Sequence, residues 1–282
     1  MLTLILICAP MSLFIGIAAS AIGYTAWSLL MPVLFVFFGF NIYLTLFISL
    51  LTDSINAILV TYLFAKQKEI DFPLGFKLII FSSVIVILGV FIGSTFIPDN
   101  TDFFKDNIAY GNLIFVFFFF RRGRKISKLN QQRKNKKNTP TQVDVSPIEE
   151  KTKIKPLILY LGIAFVAIQT GVIGIGGGMM YAIALMLIVK YTTSRAIGTA
   201  MFITSITALV AAAGIFIQIP QTAFKNDSHL FIIPVILGFS LLGTFIGHGI
   251  TNRLSEEKIN YMVSGVITIA CVVAIFQGNA IH

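Results

Sequence analysis

Residues 171–180 read "GVIGIGGGMM", a stretch that places five glycines in ten positions inside the apolar segment 156–189. Glycine is a poor helix former, so this density predicts that a helix in the segment breaks here. The segment is also longer than the ~20 residues that cross a bilayer as one helix. The stretch therefore predicts that one helix stops and a second helix starts within the hydrophobic region.

The composition is that of a membrane protein. The chain has 282 residues, of which 56% are hydrophobic and 12% are charged, and its mean hydropathy is +0.89. A backbone in lipid must satisfy its own hydrogen bonds, which favours helices. We expect an all-α, multi-pass integral protein of the plasma membrane. Its apolar segments cover roughly residues 2–39, 42–65, 77–97, 108–120, 156–189, 196–218, 230–250 and 259–278.

One loop accounts for the net positive charge. Residues 121–155 hold 12 Lys/Arg and 3 Asp/Glu, which accounts for the whole formal net charge of +9. A basic loop beside membrane spans predicts a cytoplasmic location, and contact with membrane lipid headgroups is left open. Nucleic acid is not an expected partner, because the loop has no interleaved aromatic residues and no recognisable binding fold.

The loop divides the chain into two halves that resemble each other. A constant offset of 151 positions pairs Gly23 with Gly174, and "SINA" at 54–57 with "SITA" at 205–208. Self-similarity of this kind is typical of transporters built by duplication. The predicted organisation is a first transmembrane repeat at 1–120, the basic cytoplasmic loop at 121–155 and a second transmembrane repeat at 156–282.

The first apolar segment of each half is overlong and is interrupted by small residues, "GIAASAIG" at 16–23 and "GVIGIGGG" at 171–178. Each is interpreted as two short helices folded into a hairpin, which makes the number of crossings per half odd and inverts the halves. Hairpins place seven Lys/Arg outside the loop on its side of the membrane and two opposite, whereas single crossings give four and five. The positive-inside rule thus predicts two inverted repeats, each a broken helix hairpin plus three spanning helices.

A helix that starts at a glycine break presents unpaired N–H groups and the positive end of its dipole, which can bind an anion without a charged side chain. The candidate substrate contacts of the second half are therefore Gly174, Gly176, Gly177 and Gly178. Close packing of helices through small residues is the alternative. A nucleotide-binding loop is disfavoured because the stretch has no Walker lysine.

The corresponding stretch of the first half, "GYTAWSLLMP", has one glycine, Gly23, and a hydroxyl at Thr25 as candidate substrate contacts. The two half-sites would then differ from each other, which suits a polar, asymmetric substrate. The alternative is that this copy of the break has become purely structural.

Asp53 is the acidic residue that lies deep within an apolar span. A carboxylate there costs ~2.5–3.5 kcal/mol on insertion scales, so a functional role such as proton coupling is the first hypothesis. The alternative is a protonated Asp53 in a helix–helix hydrogen bond. The offset of 151 pairs it with Thr204. Polar residues of both halves that would line the same pathway are Ser54, Asn56, Thr199, Thr204, Ser205 and Thr207; of these, Thr199 and Ser205 are the candidate substrate contacts.

Residues 171–209, "GVIGIGGGMMYAIALMLIVKYTTSRAIGTAMFITSITAL", resemble the sulfite exporter TauE/SafE family of membrane permeases. The shared features are the Gly-x-Gly-Gly-Gly break from Gly174 to Gly178 and the small-residue run from Ala196 to Thr199. "MPVL" at 31–34 is similar to the family's Pro-x-Leu motif. The resemblance implies transport of sulfur-containing anions such as sulfite or organosulfonates. The first half departs from the pattern, because Thr25, Ala26 and Trp27 replace its triple glycine.

The expected function is secondary transport of a small anion that is held near the membrane midplane between the two hairpins. An uncoupled anion channel is the alternative. An enzyme is not expected, because no span carries a set of metal ligands or a nucleophile–base pair, and no cofactor or metal is predicted. A scaffold whose basic loop recruits partners is the third hypothesis, and assembly into a homo-oligomer is left open.

Overall fold

The computed structural model describes residues 2–99, 156–221 and 227–251, with single helical positions at 117, 121, 124, 261, 265 and 268. The described residues form helices and their connections, without a strand. The predicted spans at 108–120 and 259–278 and the basic loop at 121–155 lie, apart from those single positions, outside the described residues. The helices are α1 Leu2–Ile22, α2 Trp27–Phe37, α3 Ile42–Lys66, α4 Phe72–Asp99, α5 Pro156–Ile173, α6 Gly178–Val189, α7 Thr193–Phe216 and α8 Asp227–Thr251.

Six of these helices, α1, α3, α4, α5, α7 and α8, are long and apolar enough to cross a bilayer within the described part of the chain. Their outer faces expose large apolar side chains such as Leu6, Ile80, Phe91, Leu161 and Phe245. In water such faces would favour association of the protein with itself, whereas in a membrane they are the surface expected to contact lipid. The prediction of an all-α, multi-pass membrane protein is confirmed.

The direction of α1 follows from its contacts with α8. Gly16 lies against the backbone of Ser240, and Gly247 lies against Ser20. Because the residue numbers rise together along both helices, α1 and α8 run parallel. The approach is close, since a Cβ on either glycine would overlap an atom of the facing helix.

Helix α8 is in turn parallel to α3. Ser240 Oγ donates a hydrogen bond of 2.8 Å to Asn56 Oδ1, and His248 Nε2 lies 3.2 Å from Gln67 Nε2, just beyond the end of α3. The order of these two contacts shows the shared direction. Helices α1 and α3 therefore start at the same end of the bundle.

Helix α2 runs back along α3. Thr25, just before α2, is hydrogen-bonded to Asp53 midway along α3, while α2 ends at Phe37, close to the start of α3. Asn41 caps α3 by accepting hydrogen bonds from the N–H groups of Tyr43 and Leu44. The pair α1–α2 is thus a hairpin.

The second half repeats this arrangement. Thr170 Oγ1 donates to the carbonyl of Ile175 across the break at 2.8 Å, and Gly162 faces Ile188 near the other end of both helices. Helix α6 therefore returns along α5. Helices α2 and α6 also share an unusual feature, since each begins as an α-helix and ends in a wider π-helical turn, at Met31–Phe37 and at Leu185–Val189.

The arms of both hairpins are unequal, unlike the two short helices that the sequence predicts. Helices α1 and α5 are long enough to cross a bilayer alone, whereas α2 and α6 are much shorter. The chain reverses at Gly23 and Gly174, both with positive φ, and the helix that follows each reversal begins only at Trp27 or Gly178 and ends at Phe37 or Val189. Each hairpin thus combines a full-length helix with a partial return.

The two halves pack on each other through equivalent pairs of helices. Helix α1 packs on α8 and α5 packs on α4, so the first helix of each half contacts the last described helix of the other. At the centre α3 and α7 cross in opposite directions, with Phe47 against Phe216 and Ser54 Oγ donating to the Ser205 carbonyl at 2.8 Å. Ser54 and Ser205 are separated by the repeat offset of 151.

The second half starts at the end of the bundle opposite to the first. Gly89 lies against Ile168 and Gly93 lies against Val172, so α5 runs parallel to α4. Helix α4 follows α3 after a short connection and starts where α3 ends. Helices α1 and α5 therefore start at opposite ends, while the assignment of these ends to the two sides of a membrane stays a prediction.

Candidate functional site

Both long hairpin arms end in the same backbone conformation. Gly23 has φ +74° and Gly174 has φ +69°, and they are the pair that the repeat offset predicts. Each N–H donates to the carbonyl four residues earlier, Ala19 at 2.9 Å and Thr170 at 3.2 Å. A left-handed residue directly after a helix favours glycine because a Cβ would strain this conformation.

The two breaks meet each other in the interior. A Cβ on Gly178 would come within 3.0 Å of the Gly23 carbonyl oxygen, and a Cβ on Gly23 would come within 3.5 Å of the Gly178 carbonyl carbon. The Met201 side chain covers both, with its Cε 3.2 Å from the Cβ position of Gly23 and 3.3 Å from that of Gly178. Glycine at 23 and 178 thus lets two backbones from different halves touch.

Asp53 lies at this junction with its carboxylate directed at the start of α2. Thr25 Oγ1 donates to Oδ2 at 2.6 Å and the Ala26 N–H donates to Oδ1 at 2.6 Å. The residue is 5% exposed. The start of a helix favours a negative charge, because its N–H groups are unpaired and its dipole end is positive.

The glycines of the second break fit closely around their neighbours. A Cβ on Gly176 would overlap Oδ2 of Asp53, and a Cβ on Gly177 would overlap the ring of Tyr181. Gly174 faces the side chain of Leu46. A side chain larger than hydrogen at 176 would have to displace the carboxylate, which explains the glycine at this position.

Both breaks and Asp53 line one cleft, which leaves no space as large as a water molecule between its described walls. Five of the predicted site residues are among the lining residues, while Tyr24 and Met201 were missed. An i, i+3 spacing, Met201 to Thr204 on α7, is the signal that could have found Met201, since it places both on one helix face. The lining residues are Ala19, Gly23, Tyr24, Thr25, Asp53, Asn56, Gly176, Gly178, Met201 and Thr204.

Four predicted contacts do not line the cleft. Gly174 faces Leu46 and Gly177 faces the ring of Tyr181, and the other two, Thr199 and Ser205, make hydrogen bonds elsewhere. Thr199 Oγ1 accepts a hydrogen bond of 3.0 Å from the Asp71 N–H, near the start of α7. Ser205 Oγ donates to the Phe202 carbonyl at 2.8 Å. Neither residue lines the cleft. One step along a helix turns a side chain by about 100°, so Thr204 rather than Ser205 reaches this face.

Two polar atoms of the cleft lining are buried without a hydrogen-bond partner among the described residues, Thr204 Oγ1 and Asn56 Nδ2. The Asn56 amide is oriented from behind, because its Oδ1 accepts hydrogen bonds from Ser240 at 2.8 Å and Thr244 at 3.2 Å. Buried polar groups are normally paired. These two donors are therefore available to a ligand in the cleft.

A second polar cluster joins the halves outside the spans. Asp71 caps α4, with its Oδ1 accepting from the Leu74 N–H at 3.1 Å, and its Oδ2 accepts from Tyr191 Oη and from Arg195 Nη2, the latter at 3.2 Å. Burial alone would raise the pKa of Asp71, but the hydrogen bonds and the positive charge of Arg195 outweigh it, so the pKa is lowered. Burial, and then the hydrogen bond and negative charge of the Asp71 carboxylate, raise the pKa of Tyr191.

The described residues bring no three His, Cys, Asp or Glu side chains together as a candidate metal site. Thus the chemistry of the cleft is that of one carboxylate, hydroxyl and amide donors, and backbone at two helix starts.

Comparisons with known proteins identify the family. The family model "Sulfite exporter TauE/SafE" matches residues 8–274. The chain is 25% identical over 263 residues to the "Probable membrane transporter protein YjnA" of Bacillus subtilis (strain 168), an alignment that covers 92% of this chain and 95% of that protein. No solved structure gives a significant match. Since the family model spans both halves and both helix breaks, the chain belongs to the sulfite exporter TauE/SafE family of membrane transporters.

Proposed function

We propose that the protein is a secondary transporter of small oxyanions of the sulfite or organosulfonate type, with its binding site in the cleft between the two helix breaks. One observation carries the proposal: helix starts from both halves, α2 and α6, converge on a single buried carboxylate, Asp53. Helix starts bind anions, and Gly176 lets backbone N–H groups of the second half approach the same place.

The depth of the cleft supports a midplane site. Asp53 lies near the middle of α3, which runs from Ile42 to Lys66, and Thr204 lies near the middle of α7, which runs from Thr193 to Phe216. Both helices are long enough to cross the bilayer, so their centres are expected at half its depth. Sites of secondary transporters are commonly formed there by broken helices.

The helix directions support an inverted repeat and a sidedness. Helices α1 and α5 start at opposite ends of the bundle, and the end at which α5 starts also carries Lys66, Lys68 and Arg195. The basic loop 121–155 precedes α5 and belongs to that end. By the positive-inside rule we assign it to the cytoplasm of a plasma-membrane protein, where its charge would also meet anionic lipid headgroups.

Access to the cleft requires movement, because its walls close on each other. The α1–α8 pair and the α4–α5 pair each join helices of different halves. Rocking of one of these pairs against the other can therefore open either end of the cleft. This is the movement by which inverted repeats alternate access.

Asp53 is the proposed coupling group. Its Oδ2 faces Gly176 so closely that a bound anion at the second break would lie next to it. Two negative charges at this separation repel strongly in a buried site. Uptake of a proton by Asp53 removes the repulsion, so proton and anion would move together. In an uncoupled channel, flux would follow the membrane potential alone.

Transport by the purified protein in liposomes tests the proposal. A proton gradient should drive accumulation of radiolabelled sulfite by the wild type, and Asp53→Asn should retain flux but lose its response to the gradient. Ser49→Ala is the matched control, because Ser49 is a buried hydroxyl on the same helix that does not line the cleft. Flux that ignores the proton gradient in the wild type would favour the channel, and no anion flux at all would refute the proposal.

A further inference from the structure

The two halves differ at equivalent positions in the cleft. The offset of 151 pairs Asp53 with Thr204, and the fold supports this offset, because Ser54 and Ser205, separated by it, are hydrogen-bonded where α3 and α7 cross. The equivalents of Thr25 and Ala26, which hold the Asp53 carboxylate, are Gly176 and Gly177. The start of α2 is therefore bound by the carboxylate of Asp53, whereas the start of α6 faces the hydroxyl of Thr204.

The start of α6 lacks the side-chain partner that α2 has. Among the described residues no side chain accepts a hydrogen bond from the N–H of Gly177, directly before α6, whereas the N–H of Ala26, directly before α2, donates to Asp53 at 2.6 Å. Thr204 is 2% exposed, and its Oγ1 has no hydrogen-bond partner among the described residues. It lines the cleft together with Gly176 and Gly178. A buried donor and a helix start thus face the same place.

We propose that the Asp53 carboxylate binds at the start of α2 in the same way as one acidic group of the substrate binds at the start of α6. Thr204 Oγ1 donates a hydrogen bond to that group of the substrate. This inference rests on the proposed function. Thr204 ends in a hydroxyl on Cβ, so it is shorter than Asp53 and brings no charge. An external oxyanion then supplies the negative group that the second half lacks.

The hydrogen bonds of the Asp53 carboxylate also define the class of ligand. The Asp53 carboxylate uses each of its two oxygens for one donor, Thr25 Oγ1 and the Ala26 N–H. A ligand that copies it needs two oxygens on one atom and a single charge, which carboxylates, sulfonates and hydrogen sulfite share. Propionate and ethanesulfonate, matched in their carbon chain, are probes that separate the carboxylate from the sulfonate.

The test installs the missing carboxylate. In Thr204→Asp the new carboxylate should occupy the start of α6, so uptake of sulfite and of both probes should fall about tenfold or more, the loss of a charge-assisted site. Thr204→Asn, of the same size without charge, should retain several times more uptake than Thr204→Asp. Thr204→Ser keeps the hydroxyl and should remain close to the wild type.

Thermal unfolding in detergent completes the test. Thr204→Asp should fold but unfold below the wild-type temperature, because its carboxylate lies near that of Asp53 in a buried site, and added sulfite should stabilise the wild type but not this variant. Equal uptake by the Asp and Asn variants, or a Thr204→Asp protein that does not fold, would overturn the inference. If the wild type carries none of the three anions, the proposed function fails instead.

Discussion

Asp53 shows how one side chain can require glycine at the position that faces it. Its carboxylate is held on one side by Thr25 and Ala26, and its Oδ2 faces Gly176 on the other. Glycine at 176 is therefore explained by close contact with this buried carboxylate, whereas glycine at 174 is explained by the positive φ at the end of α5. At this scale the glycine density predicted the break, and the buried acid was recognised from its apolar surroundings.

The close contact at Gly176 leads to a sharp expectation. Gly176→Ala adds a methyl group where Oδ2 of Asp53 lies, so the carboxylate must leave its place and transport should fall about tenfold or more, with a destabilisation of about 1–3 kcal/mol from overpacking. Uptake by proteoliposomes and the unfolding temperature measure both effects.

Gly238→Ala is the matched control for this change, because a Cβ on Gly238 meets nothing within 4 Å. It lies inside α8, where alanine is the better helix former, so activity and stability should stay at or above wild-type values. Wild-type transport by Gly176→Ala would contradict the placement of the cleft.

The sequence shows which residues are polar, but it does not show which of them line the cleft. Thr199 and Ser205 have the composition of ligands, yet both bond to protein groups outside the cleft. Only the rotation of α7 about its axis separates Ser205 from Thr204, and that rotation is fixed by contacts with other helices. A single sequence does not contain those contacts, so Met201 and Tyr24 were missed for the same reason.

Among the described helices, α1 packs closely on α8, and this contact depends on glycines. A Cβ on Gly16 or Gly243 would overlap a backbone carbonyl of the facing helix. In membranes such small-residue contacts replace the hydrophobic driving force between helices. The overlong first segments predicted the hairpins, but their unequal arms depend on this packing and on where the chain reverses.

Gly16→Ala should therefore separate the two halves rather than alter the site chemistry. Because the overlap is with backbone, α1 must move, and we expect a loss of about 1–3 kcal/mol in stability with a lower yield of folded protein. Gly249→Ala, on α8 with no atom within 4 Å of its Cβ, should match the wild type. Equal unfolding temperatures of the two variants would contradict the α1–α8 contact.

The start of α4 is held by a pH-dependent contact. The pKa of Asp71 is lowered in the folded protein, below its ordinary value of about 3.9. Its stabilisation is therefore complete above that value and is lost as the pH falls through the folded-state pKa.

Asp71→Ala should cost about 1 kcal/mol at neutral pH through loss of the helix cap, and its difference from the wild type should shrink in acid. Asp71→Asn keeps a cap residue and should lose less at neutral pH. Thermal unfolding at neutral and acidic pH measures this, and a difference between Asp71→Ala and the wild type that grows in acid would contradict the assignment.

At the scale of the whole molecule, the opposite starts of α1 and α5 lead to a topology that can be measured. The proposed topology has both chain termini outside the cell and the loop 121–155 inside. Reporter tags fused to either terminus should therefore be accessible from outside in intact cells, whereas a protease site inserted in the loop should be cut only after permeabilisation. Termini that are accessible only from inside would contradict the inverted arrangement.

The central claim is that an anion binds where the two breaks meet, between the start of α6 and Asp53. The most direct measurement is an experimental structure determined with sulfite or ethanesulfonate at a concentration that saturates transport. The account predicts an anion beside Gly176 and Gly178, within hydrogen-bond distance of Thr204 Oγ1. An anion bound elsewhere, or a cleft without an anion under conditions where transport is saturated, would contradict it.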